Sequence, residues 1–383
     1  MPLITDDRIH NGVVPFSGAI IDATERDDTG ARDTAPLKLA TKPIAYKRLG
    51  RSGLKVSQVI LGCMGFGSPA WQGWVIPEEK ALPLLKYAYD CGINTWDTAD
   101  IYSNGLSEQI VGKAIQQYQI PRSSVVIMSK CFFSPDTSGA QARIATRTRN
   151  EGLLVNTVGL SRKHILDAVE ASVKRLGTYI DVLQIHRLDR DVEPTEVMRA
   201  LNDVVERGWV RYLGASSMAC WEFQRLRWTA KTNGWHEFIS MQNYHHLLYR
   251  EEEREMIPYC NATGVGLIPW SPLARGVLCR PWGQGSHREN NDGYLGKLIR
   301  GKACEADKII VGRVQELAER HGVSMACIAT AWSISNGCCP VIGLSSRERI
   351  EDAVRNAHFK LTDGECEYLE SAYVARPIEE ENL

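Results

Sequence analysis

The sequence has no pair of cysteines at the spacing that holds zinc or a redox couple. Its 11 cysteines are odd in number, and the nearest two are the adjacent Cys338 and Cys339. That excludes a C-x-x-C site and a disulfide framework, and it reads as reduced, intracellular thiols. No stretch reaches the roughly 18 apolar residues that a membrane helix needs. Residues 1–45 lack a charged start followed by an apolar run, and the best apolar stretch there, 13–21, is broken by Pro15 and Ser17. Charge of one sign is missing too. Lys and Arg total 45 against 46 for Asp and Glu, a net charge of −1, so neither nucleic acid nor an anionic membrane is expected as a partner. The expectation is a cytoplasmic protein whose oligomeric state composition leaves open. Nucleotide signatures of the common kinds are also absent. Gly62-Cys63-Met64-Gly65-Phe66-Gly67 has its glycines at the wrong spacing for a Rossmann turn, and no P-loop, H-E-x-x-H or G-x-S-x-G occurs. His245-His246 is the one candidate metal pair. Neighbouring side chains point apart and no Cys or carboxylate sits at matching spacing, so both read as loop histidines and no metal is expected.

What is present is an ordinary globular composition, 44% hydrophobic and 24% charged over 383 residues. Residues 1–45 stand apart, with seven acidic and five basic residues and no sustained periodicity. They form an N-terminal extension, either a disordered tail or an arm draped on the domain. From Tyr46 the pattern changes. The run 46–57 alternates around Gly50 and Ser52-Gly53, as a β-hairpin does. Apolar strands are predicted at Val56–Leu61, Ile93–Asp97, Val125–Lys130, Ile180–His186, Val210–Ala215, Phe238–Gln242, Val265–Trp270 and Cys339–Gly343. Helical stripes fall between them. One is Ile165, Val169 and Val173; another is Val197, Leu201, Val204 and Val205, which stops at Gly208. Pro83 lies inside the predicted 78–90 helix and should kink it or shift its start. Eight strand–helix units over one domain, residues 46–383, fit a closed (β/α)8 TIM barrel of the α/β class better than an open sheet. The connections 131–161 and 279–305 are too long for plain loops, and both rise from the C-terminal face, where active sites of this fold lie.

Four polar residues stand at the ends of consecutive strands. Asp97 ends the second, with Tyr102 five residues later; Lys130 ends the third; His186 ends the fourth. Neighbouring strands bring them together on one rim. Taken singly, Asp97 and Lys130 could be a buried ion pair, His186 a satisfied core histidine and Tyr102 simple packing. Together they make a proton donor for a carbonyl oxygen. Asp97 would hold Lys130 protonated, the Lys130 cation would lower the phenol of Tyr102 toward working pH, and His186 would orient the oxygen. The matching hydride needs a cofactor. Met64, Trp71 and Trp74 follow the first strand, where they either form an aromatic substrate wall or close the barrel mouth by packing.

The runs 92–108, 180–189, 211–217, 268–276 and 341–352 resemble, in order and spacing, the signature segments of the aldo-keto reductases. Within them, the runs 78–105 and 120–131 are most similar to a fungal group that reduces versiconal hemiacetal acetate. The resemblance covers residues 46 to about 376. It implies reduction of aldehydes or ketones with NADPH, with Asp97, Tyr102, Lys130 and His186 as the catalytic set and substrates of aromatic or polyketide type. It implies that Ser216, Ser217 and Gln242 hold the carboxamide and that Trp270 stacks on the nicotinamide. Ser271, Leu273 and Gly276 would then lie along the pyrophosphate, and Gly343, Ser345 and Arg349 around the adenosine 2′-phosphate. Three positions depart from the family pattern: Ser217 replaces a common Asn, Trp270 a common Tyr, and Ala353 a frequent Asn near the adenine. Arg349 favours NADPH over NADH, unless it is only a surface helix residue. A regulatory or scaffold protein that binds NADPH on the same fold is the other function class, and an intact catalytic set separates the two.

Overall fold

The computed structural model describes residues 44–135 and 150–379. The expectations for residues 1–43 and for the middle of the 131–161 connection lie outside the described residues. The chain opens with the predicted hairpin, β1 (Tyr46–Arg48) paired antiparallel with β2 (Lys55–Ser57). Eight parallel strands follow: β3 (Ile60–Gly62), β4 (Thr95–Asp97), β5 (Val126–Cys131), β6 (Ile180–Ile185), β7 (Val210–Ser216), β8 (Phe238–Gln242), β9 (Gly266–Leu267) and β10 (Val341–Ile342). They lie in the order β10-β3-β4-β5-β6-β7-β8-β9. The ring closes through backbone bonds, from Cys339 N to the Leu267 carbonyl at 2.9 Å and from Val341 N to the Pro269 carbonyl at 3.0 Å. The fold is therefore the expected (β/α)8 barrel. Most strand ends shift by one to three residues, and one predicted strand is broken. The predicted strand 56–61 divides, because Val56 belongs to the hairpin and the first barrel strand begins only at Ile60.

The outer layer begins with α1 (Glu78–Asp90), α2 (Leu106–Gln117), α3 (Arg162–Leu176), α4 (Pro194–Glu206), α5 (Cys220–Thr232) and α6 (Met256–Thr263). Helix α3 shows how sequence sets an element. The Ser161 hydroxyl accepts from His164 N at 3.2 Å, Ile165 and Val169 are fully buried, and Gly177 ends the helix at φ 68°. Pro83 neither ends nor shifts α1, which runs through it. The proline is on the exposed face, where water can take the carbonyl it leaves unbonded. The connection 279–305 is not a bare loop, since it carries α7 (His287–Asn291) and α8 (Gly293–Leu298). Helices α9 (Glu305–His321), α10 (Met325–Ser335), α11 (Arg347–Arg355) and α12 (Asp363–Glu370) complete the chain. Among the described residues no helix is long and apolar enough to cross a membrane.

Alternation along the strands sorts the core. Val126 and Met128 of β5 and Val182 of β6 fill the barrel interior with Ile60, Ile268 and Val341. Ile127, Cys131, Leu183 and Ile185 point out to the helices. The hairpin plugs the floor with Leu49, 1% exposed. A Cβ on Gly266 would come 2.5 Å from the Leu49 side chain, so that position admits no side chain. The same period of two that aims Val126 and Met128 inward aims Lys130 inward at the top of β5. It places Gln184 and Gln242 one layer up on β6 and β8.

Candidate active site

The four strand-end residues meet at the top of that interior. Lys130 is fully buried, and Asp97 is 2% exposed. The Lys130 Nζ donates to Asp97 Oδ2 at 2.5 Å, to the Thr98 carbonyl at 3.0 Å and to the Tyr102 hydroxyl at 3.3 Å. The other Asp97 oxygen, Oδ1, accepts from Gln184 Nε2 and Gln242 Nε2, both at 2.9 Å, and the two glutamines are joined at 3.0 Å. Both oxygens of the carboxylate thus meet donors, which is what a buried charge requires. Gly214 of β7 makes room, because a Cβ there would lie 3.0 Å from Gln184 Cγ and 2.6 Å from Ser240 Oγ. The His186 ring stands edge-on to the Tyr102 ring, 5.8 Å between centroids.

Burial raises the Tyr102 phenol above its ordinary value, Asp97 adds to the rise, and the Lys130 cation only partly offsets it. This corrects the expectation that Lys130 brings the phenol down toward working pH. In the closed interior desolvation is the larger effect, so Tyr102 keeps its proton near neutrality. For Lys130 burial works against the charge, but Asp97 and Tyr102 more than reverse it and raise the amine. The arrangement is a neutral phenol resting on a fixed cation.

A cleft of about 920 Å³ runs from these residues across the barrel mouth, toward the upper end of the usual range for ligand sites. Its walls include Asp97, Tyr102 and His186, then Ser216, Gln242, Trp270, Ser271, Leu273 and Gly276, and at the far end Gly343, Ser345 and Arg349. Met64, Trp71 and Trp74 line the near end. Two expected residues do not reach it. Lys130 lies beneath, reaching the cleft only through Asp97 and Tyr102. The Ser217 hydroxyl accepts from Trp270 Nε1 at 3.1 Å, so it fixes the indole where a carboxamide contact was expected. Trp270 rests one face on Tyr244, 4.3 Å away and 24° from parallel. Trp71 is 7% exposed and 6.4 Å from the Tyr102 ring, so it is core as well as wall. Arg349 Nη1 donates to Ser345 Oγ at 2.7 Å. The two histidines after β8 are buried. His245 Nε2 meets Glu253 at 2.8 Å and His246 Nδ1 accepts from Leu248 N at 3.1 Å, both structural contacts.

Several residues in or beneath the cleft were not legible beforehand. Gln184 had a visible signal, a polar residue inside the apolar run of β6. Arg187, Phe133 and Arg280 line the cleft without any motif. Least visible is a strap formed by α7. Asp292, almost fully buried, binds Arg275 at 2.7 Å and Arg288 at 3.0 Å. Arg288 in turn lies 4.1 Å over the Trp74 ring, joining the segment after β9 to the one after β3. A cation–π contact between segments more than two hundred residues apart carries no local signal.

A phenol held on a buried Lys–Asp pair, at the C-terminal mouth of a (β/α)8 barrel and facing a large cleft, is the arrangement of a barrel oxidoreductase acting on carbonyl compounds. The sequence model of the aldo/keto reductase family matches residues 58–374. The chain is 60% identical over 336 residues to a versiconal hemiacetal acetate reductase of Aspergillus parasiticus, covering 87% of this chain and 98% of that one. It is 54% identical over 348 residues to a putative aryl-alcohol dehydrogenase of Schizosaccharomyces pombe, covering 88% and 98%. It is 51% identical over 347 residues to an aldo-keto reductase of Alternaria alternata, covering 87% and 92%. The protein belongs to the aldo/keto reductase family and is an enzyme of that family.

Proposed function

We propose that this enzyme reduces an aromatic or polyketide-type aldehyde or ketone of secondary metabolism to the alcohol, with NADPH as the reductant. The observation that carries the reading is the Lys130 ammonium, which touches both Asp97 and Tyr102 under a cleft that ends at Arg349. The residues present suit a dinucleotide. Trp270 has one face covered by Tyr244 and lines the cleft beside Ser216 and Gln242. Ser271, Ala274 and Arg275 hold left-handed backbone at φ 54°, 47° and 54°, with Gly276 at 96°, so the chain curls under the middle of the cleft. Arg349 and Arg280 supply cations at its far end, where a 2′-phosphate would sit. A reduced nicotinamide, when bound, supplies the hydride to the carbonyl carbon.

The chain's own residues handle the proton. The Tyr102 hydroxyl donates to the carbonyl oxygen as the C–O bond becomes single. The phenolate that remains is held by Lys130, whose charge is fixed by Asp97. His186 borders the same space and orients the oxygen. Relatives named as a reductase and as aryl-alcohol dehydrogenases support aryl carbonyl and alcohol chemistry. An intact set of four residues supports an enzyme over a scaffold. The test is the full chain with NADPH and 4-nitrobenzaldehyde, following loss of NADPH absorbance and appearance of the alcohol. Stoichiometric alcohol is expected. No turnover with aryl aldehydes, quinones or polyketide hemiacetals would overturn the proposal.

A further inference from the structure

Gln184 is a polar residue on the apolar side of its strand. It sits in β6 between Leu183 and Ile185, which point out to the helices, and shares the inward side with Val182. It is fully buried and lies beneath the cleft without lining it. A primary amide in such a place costs free energy unless its groups are bonded. Gly214 of β7 leaves room for it, since a Cβ there would stand 3.0 Å from Gln184 Cγ.

Its bonds are of two kinds. Gln184 Nε2 donates to Asp97 Oδ1 at 2.9 Å, and Gln184 Oε1 accepts from Gln242 Nε2 at 3.0 Å. Gln242 Nε2 also donates to Asp97 Oδ1 at 2.9 Å. A carboxylate has only lone pairs to offer, so both amides must turn nitrogen, not oxygen, toward it. Each amide nitrogen carries two hydrogens. In Gln242 one goes to Asp97 and the other to Gln184, so neither is left for the cleft. Gln242 does line the cleft, and the polar atom it can offer there is its carbonyl oxygen. Ser216 pairs with Gln242 in the β7–β8 register and lines the cleft beside it. Ser217 Oγ, which accepts from Trp270, can donate across 3.4 Å to Ser216 Oγ and leave the Ser216 hydrogen for the cleft. One acceptor and one donor then stand side by side, the complement of a primary carboxamide. Asp97 alone would not produce this. Without the Gln184 oxygen, the second N–H of Gln242 loses its partner and can turn to the cleft.

We propose that Gln184 is a positioning residue that takes the second N–H of Gln242, so that this part of the cleft accepts a hydrogen bond and selects a cofactor ring bearing a carboxamide –NH2. The inference rests on the reductase reading above and concerns the nicotinamide end of the dinucleotide. Gln184 acts only through Gln242 and touches neither cofactor nor substrate.

The experiment compares NADP+ with its 3-acetylpyridine analogue, which keeps the ring carbonyl and carries a methyl group in place of –NH2. Dissociation constants for the full-length protein, Gln184→Met and Gln184→Glu are read from quenching of tryptophan fluorescence, so no turnover enters. The readout is the ratio of the two constants, because adenosine and phosphates are common to both. Wild type should bind NADP+ at least about tenfold more tightly, the scale of leaving a buried acceptor without its donor. Met has nearly the volume of Gln and no amide, and in Gln184→Met the ratio should fall at least about fivefold. Gln184→Glu supplies a rescue that titrates. While protonated, its carboxyl donates to Asp97 and accepts from Gln242 as the amide does; once ionised, it cannot donate and is repelled by Asp97. Burial and the neighbouring carboxylate both raise such an acid. The variant should therefore match wild type near about pH 5.5 and lose its preference as pH rises toward about 9, while the wild-type ratio stays flat. A wild-type ratio within about twofold of one, or both constants weakened alike in Gln184→Met with the ratio kept, would reduce Gln184 to packing and overturn the proposal. If Gln184→Met does not fold, Gln184→Glu decides, and a ratio that follows wild type at every pH overturns it. If wild type binds neither dinucleotide, the reductase reading itself fails.

Discussion

Replacing Lys130 by Met removes the cation on which the site rests. Lys130 is fully buried and its partner Asp97 nearly so. Breaking a buried ion pair by deleting one partner costs about 3–5 kcal/mol, because the remaining charge is left uncompensated. Here Gln184 and Gln242 still donate to Asp97 Oδ1 at 2.9 Å each, which places the loss near the low end, about 3 kcal/mol. At roughly 2–4 °C per kcal/mol for a large single domain, the melting temperature should drop by about 6–12 °C. Asp97→Asn in the Lys130→Met background removes the stranded charge and should restore part of the loss. The sign with pH is fixed by the raised amine. Stability drawn from a raised Lys is fully present below its unfolded pKa of about 10.4 and is lost only as pH climbs through the higher folded value. Wild type and variant should therefore differ by the same amount between about pH 6 and 9. In activity, Tyr102 loses the charge that offsets its burial, and kcat should fall at least about 10²-fold. Thermal melts and steady-state kinetics on the same preparation check both. A melting temperature within 2 °C or so of wild type, or kcat within twofold or so, would refute this account of the pair.

Arg349→Ala should weaken NADPH binding by about 1.5–3 kcal/mol while NADH binding hardly changes; equal losses in fluorescence titrations would remove the 2′-phosphate contact. Trp71 and Trp74 should separate. Trp71→Ala opens a cavity beside Tyr102 and should cost about 3–5 kcal/mol in thermal melts, slowing small and large substrates alike. Trp74→Ala should raise KM for a polycyclic carbonyl roughly tenfold with little effect on a small aldehyde; equal effects on both would make it packing. Burial, together with Glu108 nearby, pushes the fully buried Asp100 carboxyl well up. A raised acid loses stability for the protein as pH rises above the unfolded value of about 3.9. Asp100→Asn should therefore raise the melting temperature at pH 8 and less so at pH 5. A gain that does not grow with pH would contradict the assignment.

The barrel was legible because each strand announces itself locally. Ile127 to Lys130 and Ile180 to His186 are apolar runs ending in a polar residue, and Gly177, Gly208 and Gly322 end their helices at positive φ. Such signals sit within a few residues of what they determine. The meeting of Asp97, Tyr102, Lys130 and His186 was legible for the same reason, since strand order converts position in sequence into position on a rim. What the sequence could not reveal is pairing across the barrel. Nothing around Ser217 says that its hydroxyl meets Trp270, 53 residues away, and nothing around Arg288 says that it covers Trp74. The direction of the Tyr102 shift was misread because a neighbouring cation is visible in sequence and the degree of burial is not. Val56 was misplaced because only the two polar residues Ser57 and Gln58 separate it from the apolar Val59–Leu61, too short a break for periodicity to mark the turn.

The central claim is that Tyr102 delivers the proton in a hydride-transfer reduction. Tyr102→Phe removes the hydroxyl and little else, leaving Lys130 on Asp97 and the Thr98 carbonyl. The decisive measurement is single-turnover NADPH oxidation with an aryl aldehyde, wild type against Tyr102→Phe, alongside a titration of NADPH binding. The account predicts a rate lower by at least about 10²-fold with NADPH affinity nearly unchanged. A variant that oxidises NADPH within a factor of two or so of wild type would contradict it.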